Sequence, residues 1–152
     1  MSTKAYTLIA SLVPRLQAIR IANGYATNAG ASVALGPVPR KPGEAYPFCR
    51  VHEAGADNES EVAHRSHAKV RTNFVAEALA TEPVAANVLS TGHLLIGDLK
   101  RALFGDALRD LNGAVIDARL EGYSIVPPEE GSDVVIAQVR GSFSFVDHFN
   151  SP

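Results

Sequence analysis

The stretch DVVIAQVRGSFSFV, residues 133–146, alternates apolar and polar side chains over most of its length. Val135, Ala137, Val139, Phe143 and Phe145 fall on one side, and Gln138, Arg140, Ser142 and Ser144 on the other. Successive strand residues point to opposite faces, so the pattern predicts a long strand with one buried and one wet face. Residues 114–126 form a second such segment, separated from the first only by the turn PPEEGS. Two long strands joined by a short turn make an antiparallel hairpin.

Upstream, residues 62–75 also alternate. Val62, Ala68, Val70 and Phe74 share one face, while Arg65, His67, Lys69 and Arg71 form a basic row on the other. An unbroken strand of that length would span about 46 Å, so a bulge or a projecting end is expected. FCRVHEAG reads as a short strand, ADNESE as a polar loop after it, and residues 25–35, small and glycine-containing, as an edge strand. The segment GPVPRKPGEAYP is a loop; the spacing of Pro39 and Pro42 fits a proline-rich ligand, but a stiff exposed connection explains it more simply.

Two helices complete the chain. Ala5, Leu8, Ile9, Leu12, Val13, Leu16 and Ile19 recur at three- and four-residue spacing, with Ser2 or Thr3 able to cap the start. Pro14 removes a backbone donor inside that pattern and should bend or divide the helix. Asn23-Gly24 follows the last periodic residue, and Gly24 at positive φ would close it. The second helix is expected over 83–104, with Pro83 in its first turn, Val84, Val88, Leu95, Leu99 and Leu103 on its apolar stripe, and Gly105 at its end. Gly92 and Gly97 loosen its middle, and Lys100 and Arg101 meet the negative end of its dipole. The order helix, three strands, helix, two strands predicts one α+β domain over residues 1–152. A mainly antiparallel sheet of about five strands would carry two principal helices packed on one face.

Composition supports a globular chain: 46% of the 152 residues are hydrophobic and 20% charged, with a net charge of −2. That balance exerts no global pull on nucleic acid, so binding to DNA would require a local patch such as the basic row. The alternative is a wet sheet face whose cations pair across to Asp117 and Glu121. The N-terminal apolar run, broken by Pro14 and followed by Arg15, lacks the form of a cleavable signal, and no apolar stretch approaches a membrane span. The single cysteine, Cys49, precludes an internal disulfide.

No catalytic constellation survives the spacing tests, and the expectation is a protein that is not an enzyme and uses no metal or cofactor. His64 and His67, and likewise Cys49 and His52, are three residues apart, which on a strand sends each pair to opposite faces. ADNESE lacks calcium-loop spacing, Glu129-Glu130 sit in a turn, and no phosphate-cradling glycine motif occurs.

The stretch IANGYATNAG resembles the Ala-Asn-Gly-Tyr-x-Thr-x-x-Gly segment that follows the first helix in tail terminator and tail completion proteins of long-tailed bacteriophages. Asn23, Gly24, Tyr25, Thr27 and Gly30 carry the match, with Asn28 where the commoner pattern has Asp. The layout is similar over nearly the whole chain: a strand ending in AEALA, a helix ending near LKRALFG and a hairpin ending in VRGSFSFV. The resemblance implies a virion structural protein, made in the host cytoplasm, at the head-proximal end of the tail. Its partners would be copies of itself in a ring, typically a hexamer, the major tail tube protein and the head–tail connector proteins, with DNA passing through the channel and no membrane involved. It implies no catalytic residue. A head–tail joining or minor tail protein, or a small nucleic-acid-binding module using Arg65, His67, Lys69 and Arg71, are the alternative readings.

Overall fold

A computed structural model of the protein describes residues 3–36, 45–59, 67–105, 115 and 117–148. The N-terminal apolar stripe forms two short helices, α1 (Lys4–Ala10) and α2 (Leu12–Gln17), separated at Ser11. Pro14 sits in the first turn of α2, where a missing N–H is tolerated, so the proline divides the helix but leaves the stripe continuous. Leu8, Ile9, Leu12, Leu16 and Ile19 are all buried. Thr3 supplies the cap: its hydroxyl accepts from the Tyr6 N–H at 3.2 Å.

The sheet has five strands in the order β1-β2-β3-β5-β4, with β1 Val33–Leu35, β2 Phe48–Asn58, β3 His67–Thr81, β4 Asp117–Val126 and β5 Val134–His148. All neighbours are antiparallel except β1 and β2, which run parallel. β3 and β5 pair without interruption over fifteen rungs, from His67 opposite His148 to Thr81 opposite Val134. The expected bulge occurs in the flanking strands instead, at Glu53/Gly55 in β2 and at Leu120/Gly122 in β4. α3 (Val88–Phe104) follows β3 after a 3-10 turn at Ala85–Asn87. The helices share one face of the sheet: Leu12, Leu16, Leu95, Leu99 and Leu103 join Val51, Phe74, Ala76, Val139 and Phe143 in a single core. The fold is thus α+β, as the element order predicts.

Several boundaries differ from the sequence reading. Residues 25–35 contribute only the three-residue β1, preceded by 3-10 turns at Ile21–Asn23 and Ala29–Ala31. β2 runs through Ala56, Asp57 and Asn58, so half of ADNESE is strand, held there by pairing with β3. β3 extends to Thr81, and residues 62–66, with Arg65 and His64, lie outside the described part, as do Pro39 and Pro42. Pro83 and exposed Val84 precede the second helix and belong to its extended approach. Gly92 is tightly placed, since a Cβ there would lie 2.7 Å from Ile125 of β4, whereas Gly97 faces open space. Among the described residues, no helix is long and apolar enough to cross a membrane.

Candidate functional site

The segment after α2 is a docked turn, and each residue of the resembling motif has a defined place in it. α2 ends at Gln17, and the Asn23 side chain donates from Nδ2 to the Ala18 carbonyl at 2.9 Å, satisfying an acceptor left over at the helix end. Gly24 has φ +82° and closes the 3-10 turn Ile21–Asn23, not the α-helix itself. This corrects the expectation that Asn23-Gly24 is the stop of the first helix; the left-handed conformation is present, one short turn later. The Gly24 carbonyl accepts from Arg101 Nη1 at 2.6 Å, and the same guanidinium lies 4.4 Å from the centre of the Tyr25 ring. Asn28 Oδ1 accepts from the Ile21 N–H at 3.0 Å, a role that an aspartate oxygen would fill equally well.

Asp98 holds the other half of the turn. It lies on the apolar stripe of α3, only 5% exposed, and its two oxygens accept from the Ala26 N–H at 3.0 Å, the Thr27 N–H at 2.8 Å and the Thr27 hydroxyl at 2.7 Å. Three donors to one ionised carboxylate are the arrangement that makes a buried charge tolerable. Gly30 then passes directly under the end of α2, its N–H donating to the Ile19 carbonyl at 2.8 Å. Asp98 and Arg101, three residues apart on one helix face, therefore clamp residues 24–27 onto α3. Sequence reasoning did not single out Asp98; a lone carboxylate on an apolar helical stripe was the available signal.

The sheet face opposite the described helices carries the second polar arrangement. Arg50, Glu77, Gln138 and Ser124 form one row across four strands: Arg50 pairs with Glu77, Gln138 Nε2 donates to Glu77 at 2.8 Å, and Ser124 donates to Gln138 at 3.1 Å. Further along, Arg71 bonds to Glu59, reaches Asp117 at 3.5 Å and donates to Ser142 at 2.8 Å. Ser142 donates in turn to Glu121, and Ser144 to Glu59. These long side chains lie over the serines, which is why Ser142 and Ser144 are fully buried on the face opposite the described helices.

Two members of the basic row are consequently paired with carboxylates. Lys69 Nζ lies 3.3 Å from Glu59, and Arg71 has two carboxylate partners, while His67 is exposed at the end of β3 and Arg65 falls outside the described residues. Asp117 acts as the cross-strand partner that alternation predicts; among the described residues Glu121 bonds to Ser142 and pairs with no cation. The unanticipated member is Glu59, from the segment read as a solvated loop. Hydrogen bonding from Arg71, then from Ser144, lowers its pKa from 4.5 to about 2. A group held down in this way adds stability in full above about pH 4.5 and loses it as pH falls through about 2. Between those values Glu59→Gln is expected to flatten the pH dependence of the urea midpoint relative to the unaltered protein; parallel profiles would refute the linkage.

Cys49 and His52 are not brought together. Cys49 is fully buried on the helix side, and burial, reinforced by the charge of Asp98, pushes its thiol up to about 12. A thiol so placed is neutral and inaccessible. The native protein is expected to resist alkylation at mildly alkaline pH and to react fully once unfolded in urea; rapid labelling of the folded chain would contradict this. Among the described residues, no three His, Cys, Asp or Glu side chains form a metal-binding group. No protein-family model matches the chain, and no curated protein matches it.

Proposed function

We propose that the protein is a structural component of a bacteriophage virion: a tail terminator that forms a ring, most simply a hexamer, on the end of the tail tube and presents the surface that joins the head connector. The observation that carries this reading is the engagement of Asn23, Gly24, Tyr25, Thr27 and Gly30 in one docked turn. The likeness to phage proteins thus concerns a folded unit whose residues depend on one another; of the two departures, the Pro-rich loop at 37–47 lies outside this turn, and Asn28, within it, keeps the oxygen acceptor the position uses.

The sheet supports assembly. Among the described residues β4 is paired on one side only, and β2 beyond Val51 has β3 as its only neighbour. Unpaired strand edges of this kind are templates for another chain, and repeated head-to-tail contacts that close make a ring. Leu120 and Tyr123 of β4, 44% and 46% exposed, add apolar area beside one of those edges. The ring would contact the tail tube protein and connector proteins and surround the DNA path. A dedicated nucleic-acid-binding module is less well supported, because Lys69 and Arg71 are already paired with carboxylates. In this reading the protein has no catalytic role; a head–tail joining or minor tail protein remains the second assignment.

Co-expression with a phage major tail tube protein, followed by electron microscopy of the tubes, tests the proposal. A closed ring of this chain at one end of each tube is expected. Tubes that stay uncapped, or that carry the protein as isolated single copies, would refute it.

A further inference from the structure

We propose that the outermost rung of the β3–β5 ladder is a two-histidine site for a divalent transition-metal ion. His67 opens β3 and His148 closes β5, and their Cα atoms are register partners. Directly opposed residues of an antiparallel pair project to the same side. Their imidazole rings face one another with centroids 5.7 Å apart and planes inclined at 45°, and both residues are exposed.

Imidazole nitrogen is a preferred donor for Zn²⁺, Ni²⁺ and Cu²⁺. With metal–nitrogen bonds of about 2.0–2.1 Å and a tetrahedral angle, two imidazoles on one ion have their centroids about 5 Å apart. The observed pair is close to that separation, and two exposed rings at the end of a ladder can converge by small side-chain rotations. Among the described residues no third His, Cys, Asp or Glu joins the pair, which leaves the remaining coordination positions to water. Among the described residues, Lys69, next on the same face of β3, is drawn to Glu59, and Val146 opposite it is apolar. Asp147 is the register partner of Ala68 and projects to the helix side, where Lys4 of α1 donates to the Val146 carbonyl at 3.1 Å. A bound ion would join the ends of the two longest described strands, at the place where a ladder opens most readily. The site rests on the ladder alone and is independent of the virion assignment.

Titration of the metal-free full-length protein with Zn²⁺, followed by calorimetry, tests the site, with amide hydrogen exchange as a second readout. One ion per chain is expected, with slower exchange at the rungs next to His67 and His148. His67→Gln and His148→Gln should each weaken binding by about tenfold or more, whereas His93→Gln, on α3, should leave it unchanged. Acidification should release the ion, because imidazole ligates only in its neutral form. Absence of binding, binding that survives the double His67→Gln/His148→Gln variant, or loss in only one of the single variants would overturn the proposal.

Discussion

Asp98→Ala is expected to lower the unfolding free energy by about 3 kcal/mol, seen as a lower urea midpoint at unchanged slope. The carboxylate accepts three hydrogen bonds from Ala26 and Thr27, and hydrogen bonds to an ionised group contribute about 1.5–3 kcal/mol each. The sum is not realised, because the variant also escapes the cost of burying a charge. What it leaves behind is a turn without its acceptor, tied to α3 among the described hydrogen bonds only through Arg101, while Gly24 and Tyr25 keep their local bonds to Ile21 and Arg20. Asp98→Asn keeps the volume but offers one acceptor oxygen where two are used, and should fall between the wild type and the alanine variant. Thr27→Val, which removes a single one of the three bonds, should cost about 1 kcal/mol. A midpoint unaffected by Asp98→Ala would show that the clamp contributes nothing to the fold.

Gly30→Ala is expected to be comparably damaging for a different reason. A Cβ at that position would lie 2.2 Å from the Leu16 carbonyl oxygen and 2.8 Å from those of Gln17 and Ile19. All three are backbone atoms, so relief requires moving the end of α2 and with it the buried Leu16 and Ile19. Overpacking against movable side chains costs about 1–3 kcal/mol, and against backbone the loss should reach about 3 kcal/mol. The position requires glycine for space. Gly97→Ala provides the contrast: its Cβ would meet nothing within 4 Å, and in a helix interior alanine should stabilise by about 0.5–1 kcal/mol. A neutral Gly30→Ala would mean that the close approach of the turn to α2 is not structurally demanding.

These two residues show why the candidate site was only half legible in the chain. Gly30 belongs to the motif, but nothing local says that it must pass under three carbonyls; those belong to residues 11–14 positions earlier, brought there by the folding back of the turn. Asp98 is visible as an anomaly on the stripe of Leu95 and Leu99, yet its donors lie about seventy residues away. Glu59 is hidden more thoroughly. In ADNESE it reads as one acid among several, and it acquires a role when pairing of β2 with β3 carries it beside Lys69, Arg71 and Ser144.

Local periodicity was sufficient for the larger elements. The 3.6-residue stripe of the first segment, the alternation of residues 133–146 and the left-handed glycine after Asn23 each follow from what one residue does to its near neighbours, and they appear where steric and hydrophobic preferences put them. The α+β class and the burial of one sheet face follow from the same patterns. Partner, register and length are of another kind. That β1 lies parallel to β2, that β2 continues through Asp57, that the bulges fall in the flanking strands, and that Lys69 and Arg71 find Glu59 and Asp117 all depend on contacts between segments distant in sequence. A side chain's alternation states which face it takes, whereas the neighbour it meets there is set only when the whole sheet has closed around it.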